Sequence, residues 1–182
     1  CVYIGAHIEK PGVVIQRGGR CTIHFGGDPR NGYMDSRIPA LFDRAGIKYD
    51  MMDNPYSEIW GKFIFIAAYG LVTAYSGKTI GQVLESQELS GYVRSIMNEV
   101  VDIARAGNVQ LSAAAAEDSF LKGKAFPYDT KTSLQRDYEV IDKRDERELF
   151  GGTIIRLGRE RGIATPVSGF IYTELDKRKP AP

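Results

Sequence analysis

The sequence predicts an α+β chain, a short β-meander followed by an all-α helical bundle, on three observations. Residues 1–54 hold short β-rich runs separated by glycine and proline turns. After Asn54-Pro55 the apolar residues fall into helical spacing. The run Ser57–Tyr75 is apolar on nearly every side, as a helix covered by its neighbours all round must be. With 182 residues, 43% of them hydrophobic, the chain can bury one sizeable core, or a core plus a fragment of another.

Taken in order, Val2–Ile8, Val13–Gln16 and Cys21–Phe25 read as strands, with turns at Pro11-Gly12 and Gly18-Gly19. Gly26–Gly32 has loop composition. Ser36–Ala45 has Ile38, Leu41, Phe42 and Ala45 at helical spacing and stops at Gly46, and Ile47–Met52 is one more strand. A sheet of these pieces leaves edges and a face uncovered, so further strands are expected upstream and the chain is expected to be part of a longer protein. Asn54-Pro55 marks the entry to a second, helical domain, which divides the sequence into 1–54 and 55–182.

In that second part Ser57–Tyr75 belongs at the centre. Leu89, Val93, Ile96, Met97, Val100 and Ala104 make an amphipathic helix ending at Gly107-Asn108. Ser112 followed by alanines predicts an N-capped helix to about Lys122, broken by Phe126-Pro127-Tyr128. Asp129–Glu148 carries a further helix or turn, Leu149–Arg161 is helical with a stop at Gly162, and Thr165-Pro166 opens a last helix, Val167–Leu175, before a frayed tail.

Composition bounds function. The 24 basic and 23 acidic residues cancel to +1, which argues against a nucleic-acid partner. Cys1 and Cys21 have no metal-ligand spacing, which implies no metal site and a reducing, cytoplasmic setting. The longest apolar stretch, Phe63–Ala68, is a core element by length, so no membrane span is expected.

Chemistry has few candidate seats. Lys62 lies inside the apolar helix two residues after Trp60, where burial would disfavour its charge and favour proton-transfer chemistry. The alternative is an ordinary lysine that reaches water along its stem. Lys131–Asp137 clusters hydroxyl, amide and charged groups, which capping alone would explain, with Asp137 a partner for Arg136 or Lys131. The run Asp142–Glu148 alternates in sign and reads as a solvated face. Gly18-Gly19, Gly26-Gly27 and Gly151-Gly152 do not make the G-x-G-x-x-G turn that holds a dinucleotide. His7 and His24 sit on strands without a carboxylate or cysteine at useful spacing and read as structural.

Trp60-Gly61-Lys62, Thr132-Ser133-Leu134-Gln135-Arg136-Asp137 and Gly162-Ile163-Ala164-Thr165-Pro166 resemble, in order and spacing, the W-x-K, T-S-M-x-Q-D and G-I-x-T-P elements of ketopantoate reductases. Ile8–Gly12 and Ile23–Gly26 resemble the last strands of that family's N-terminal domain. The resemblance implies that residues 1–54 are the tail end of a Rossmann-type dinucleotide-binding domain. Residues 55–182 would then be a helical substrate and dimerisation domain. It implies an NADPH-dependent reductase of a 2-oxo acid, ketopantoate or a related substrate, in which the full-length protein binds NADPH and this part alone binds none and is inactive. By the same resemblance Lys62 is the proton donor, Ser133 contacts substrate, and Asp145 or Glu146 stands for the family's glutamate. The partners implied are the 2-oxo acid, the missing Rossmann domain and a second copy in a homodimer.

Two departures bear on substrate. Where the family usually carries asparagines one and two turns after the lysine, this chain has Ile66 and Gly70. Loss of two amides argues for a substrate other than ketopantoate, more apolar or differently shaped. It also leaves open a non-catalytic helical interaction module that keeps the fold, and, within oxidoreductases, another two-domain hydroxy-acid dehydrogenase.

Overall fold

A computed structural model describes residues 2–3, 6–16, 22–28 and 33–179, with the backbone alone for residues 2, 3, 6 and 7. Both cysteines, the Gly18-Gly19 turn and the His7 side chain lie outside the described set. The chain divides into two compact units, Cys1–Ile59 and Trp60–Pro182.

The first unit contains β1 (Val2–Tyr3), β2 (Ala6–Lys10), β3 (Val13–Gln16), β4 (Thr22–Phe25), α1 (Arg37–Ala45) and β5 (Lys48–Met51). The α+β class holds, but the strands do not form one continuous meander. β2 and β3 are an antiparallel hairpin with a bulge between Ile8 and Lys10. β4 lies at the centre of a separate sheet of order β1-β4-β5, antiparallel to β1 and parallel to β5. A parallel pair needs a crossover, and α1 supplies it between β4 and β5. Phe25 from β4, Phe42 from α1 and Tyr49 from β5 meet with ring centroids 5.3–5.5 Å apart, which fixes the helix on the sheet. The pairing also gives His24 a partner that sequence spacing hides: Asp50 on β5 lies opposite it, Oδ2 3.5 Å from Nδ1.

The second unit is helical: α2 (Pro55–Ser76, beginning just before the boundary), α3 (Ile80–Glu85), α4 (Gln87–Ala106), α5 (Ala115–Lys122) with a 3₁₀ turn at Gly123–Ala125, α6 (Ser133–Tyr138), a π-helical turn at Glu148–Gly152 running into α7 (Thr153–Arg161), and α8 (Pro166–Arg178). By length and hydropathy α2 matches a membrane span, contrary to the sequence expectation. Its stretch Ala67–Ala74 is nevertheless covered by protein throughout, as a helix apolar all round requires. α4 presents Val93, Ile96, Met97, Val100 and Ile103 to the core and packs on α3, α5, α7 and α8.

The helix ends explain where elements stop. Gly162, at φ 70°, closes α7 in the left-handed conformation that a side chain resists. α8 starts with Pro166 in its first turn, yet Thr165 makes no side-chain cap. The cap comes from α4: the buried Glu99 carboxylate accepts from Val167 N at 2.8 Å, and from Ser168 N at 3.1 Å and Ser168 Oγ at 2.5 Å. Ser112 does not cap α5 by its side chain either; its carbonyl accepts from Ala115 N.

Two further expectations change. The tail is not frayed through Asp176–Lys179, because α8 runs to Arg178 and Lys179 is anchored by its side chain. Nor is Asp142–Glu148 a wholly solvated face: Arg147 is buried and ion-paired to Asp145 at 3.2 Å. Alternation of charge does not by itself reveal which members face inward.

Candidate functional site

α2 is the element on which the separate motifs meet. Lys62, Ile66, Gly70 and Thr73 share one face at helical spacing, and the contacts of the last two show what that face meets. Thr73 Oγ1 lies 2.7 Å from Thr132 Oγ1. Each hydroxyl has one proton, and Thr73 donates its own to the Tyr69 carbonyl at 2.7 Å, so Thr132 donates to Thr73. Thr132 in turn accepts from Gln135 N at 3.2 Å and so caps α6. The hydroxyls therefore tie the first turn of α6 to α2, and leave Ser133, the first residue of α6, exposed.

Gly70 is buried, and a Cβ there would stand 3.5 Å from Leu134 and from Phe150. Space that an amide side chain would take is filled by these two apolar groups. Nearer the start of α2, Phe63 packs edge-on against Phe150 at 6.2 Å and against Trp60 at 6.0 Å. The Trp60 ring lies 5.7 Å from the Arg161 guanidinium, which donates to the Ile103 carbonyl at 2.6 Å. Arg161 directly precedes Gly162, so the tryptophan and glycine-proline motifs meet near the start of α2, and the hydroxyl motif meets the same helix about three turns later, at Gly70 and Thr73.

The charged candidates behave differently from one another. Lys62 is partly buried in the second turn of α2. Asp145 is turned inward: Oδ1 lies 3.2 Å from Arg147 Nε and accepts from Arg147 N at 3.1 Å, and Oδ2 lies 3.3 Å from Lys179 Nζ. Glu146, next in sequence, is exposed, and its carbonyl accepts from Phe150 N at 2.9 Å, placing it one turn before the residue that touches Phe63 and Gly70. Asp137 pairs with Lys143 at 2.5 Å, and Lys131 with Glu139, so the expected partnership of Asp137 with Arg136 or Lys131 is not formed. Among the described residues no group of histidine, cysteine and carboxylate side chains could hold a metal ion.

Residues 54–179 match the family described as ketopantoate reductase PanE/ApbA C terminal. The chain belongs to this family. It is 27% identical over 148 residues to the uncharacterized oxidoreductase YkpB of Bacillus subtilis, covering 80% of this chain and 48% of that protein. It is 26% identical over 184 residues to the 2-dehydropantoate 2-reductase of Caulobacter vibrioides, covering 96% and 58%. The crystal structure of the 2-dehydropantoate 2-reductase from Methylococcus capsulatus superposes with a TM-score of 0.83 at 26% identity, over 100% of this chain and 63% of that one. D-mandelate dehydrogenase in complex with NADH shares the fold at a TM-score of 0.80 and 17% identity, over 95% and 59%. This ketopantoate-reductase-family chain thus spans about half the length of the curated relatives it matches. The match begins beside Pro55, where α2 starts.

Sequence reasoning missed α3 altogether. The signal was present: Thr79-Ile80-Gly81-Gln82 is a capping box, in which Gln82 N donates to Thr79 Oγ1 at 3.3 Å and Thr79 N to Gln82 Oε1 at 3.1 Å.

Proposed function

We propose that this chain is the substrate side of a nicotinamide-dependent reductase of a 2-oxo acid, NADPH being the expected cofactor of the complete protein. The observation that carries the reading is that all three family motifs lie on or against α2, the glycine-proline segment at Trp60 and the hydroxyl segment at Gly70 and Thr73, with Lys62, Ile66, Gly70 and Thr73 on one face by helical spacing. No dinucleotide-binding turn occurs in the sequence, so the residues here do not form the cofactor's cradle, which is assigned to the rest of the protein. When bound, the nicotinamide supplies hydride.

What this chain contributes is charge and position. Reduction of a ketone builds negative charge on its oxygen, and the Lys62 ammonium stabilises that oxygen and gives it a proton. The exposed Ser133 hydroxyl, held by the cap that fixes α6 to α2, binds the substrate carboxylate. Of the two carboxylates, Glu146 takes the orienting role toward Lys62, because Asp145 is already spent on Arg147 and Lys179. Ile66 and the closed contact over Gly70 favour a substrate with an apolar side chain over ketopantoate.

The test is reduction of a panel of 2-oxo acids, ketopantoate included, by the complete protein with NADPH, beside Lys62→Ala. A 2-oxo acid turned over with kcat reduced about 10²–10⁴-fold by the substitution supports the reading. Absence of turnover with every member would instead favour the interaction-module reading, to which the apolar contact over Gly70 also lends itself.

A further inference from the structure

The loop that joins α6 to the π-helical turn closes around the ammonium group of Lys179. Nζ lies 3.2 Å from the Asp137 carbonyl oxygen, 3.3 Å from that of Tyr138, 2.7 Å from that of Val140 and 2.8 Å from that of Lys143. A fifth oxygen, Asp145 Oδ2, is buried without a hydrogen bond and stands 3.3 Å away. The Tyr138 ring forms a wall, its centroid 5.5 Å from Nζ. An ammonium has three protons, so five oxygens and a π-face around one nitrogen exceed what hydrogen bonding alone uses. Such a shell answers to charge: main-chain carbonyl dipoles converging on a cation replace its water, as carbonyl rings do for potassium, and a facing ring adds to it.

The charges around the cage balance. Asp145 lies between Lys179 and Arg147, whose guanidinium donates to the Leu175 carbonyl at 3.1 Å and to the Lys179 carbonyl, and lies 3.7 Å from Asp176. Asp137 pairs outward with Lys143. A loop of 137–145 without a cation at its centre would hold carbonyl oxygens and a buried carboxylate oxygen facing each other.

From this geometry we infer that the loop 137–145 is a binding site for a monovalent cation of ammonium or potassium size, filled by the chain's own Lys179. The tethered ammonium locks the end of α8 to the loop. Because the loop begins in α6 and ends beside Glu146, the lock holds both ends of the segment that the proposed function uses, though the inference itself does not rest on that function.

The cation in such a site is replaceable from solution. In the complete protein, Lys179→Ala is expected to speed amide exchange in residues 138–146 about tenfold or more in lithium chloride. Ammonium or potassium chloride at the same ionic strength, roughly 0.1 M, restores protection. Lys179→Met fills the mouth of the cage with an uncharged side chain and should lose protection in all three salts. If Lys179→Ala does not fold in lithium, recovery of its helical circular dichroism in ammonium is the supporting result. Equal behaviour in all three salts, whether protected, exposed or unfolded, overturns the site. None of these readings depends on turnover, so a failed reductase assay leaves them intact.

Discussion

Tyr172 on α8 donates its phenol proton to Glu148 in the π-helical turn, and this bond, with burial and the nearby carboxylate charge, pushes the phenol up from 10.0 to about 12. A group with a raised folded pKa binds its proton more tightly in the folded chain. The stability it brings is therefore complete below pH 10 and is lost as pH rises through about 12. The expected outcome is that Tyr172→Phe shows a shallower fall in stability across that window than the parent, and that Glu148→Gln returns one tyrosine toward ordinary titration. Difference absorbance titration of phenolate, with urea unfolding at each pH, measures both. Partial exposure of the pair keeps the effect small. At this scale the sequence revealed types better than partners. Lys62 and Ser133 stood out through resemblance, but nothing near Glu99 in the sequence announces that it caps a helix 68 residues away, and nothing distinguishes Asp145 from Glu146 until the fold turns one inward. Such partnerships depend on tertiary packing, which no local spacing encodes.

Elements were more legible, because periodicity and stop signals are local. α1 ends at Gly46, α4 at Gly107 and α7 at Gly162, each a glycine the sequence marks. The strand order was not legible, since pairing of β4 with β1 and β5 joins residues far apart in the chain. The π-helical turn escaped as well: Glu148–Gly152 reads as ordinary helix in sequence. It brings Phe150 onto α2, against Phe63 and beside Gly70. Restoring an amide at that crossing tests the packing directly. In Gly70→Asn the Cβ has ordinary contact distance to Leu134 and Phe150, but the amide beyond it enters an apolar contact with no partner given by either group. The substitution is expected to lower unfolding free energy by about 1–3 kcal/mol, the cost of burying an unsatisfied amide. Chemical denaturation of the chain measures it, and an unchanged midpoint would mean that this contact opens to admit a polar side chain.

At the scale of the whole molecule the two units differ in what they bury. Among the described residues, every member of the buried apolar core lies between Ile64 and Leu175. In the first unit no described hydrophobic side chain is fully buried, and Ile8, Val14 and Leu41 are more than half exposed. The described apolar contact between α1 and its sheet is the cluster of Phe25, Phe42 and Tyr49, none of them fully buried. So small a burial gains too little to offset the entropy of ordering the strands. The helical unit carries its own core, its own helix caps from Glu99 and Thr132, and the Lys179 lock, and the family match covers 54–179 alone. Residues 54–179 expressed by themselves are therefore expected to show helical circular dichroism and one cooperative thermal transition, with a midpoint close to that of the 182-residue chain. Residues 1–53 by themselves are expected to give none. A cooperative transition in the short piece would show that its hairpin and three-stranded sheet stand without help. A non-cooperative melt of 54–179 would show that the helices need the strands, and would move the folding boundary away from the start of α2.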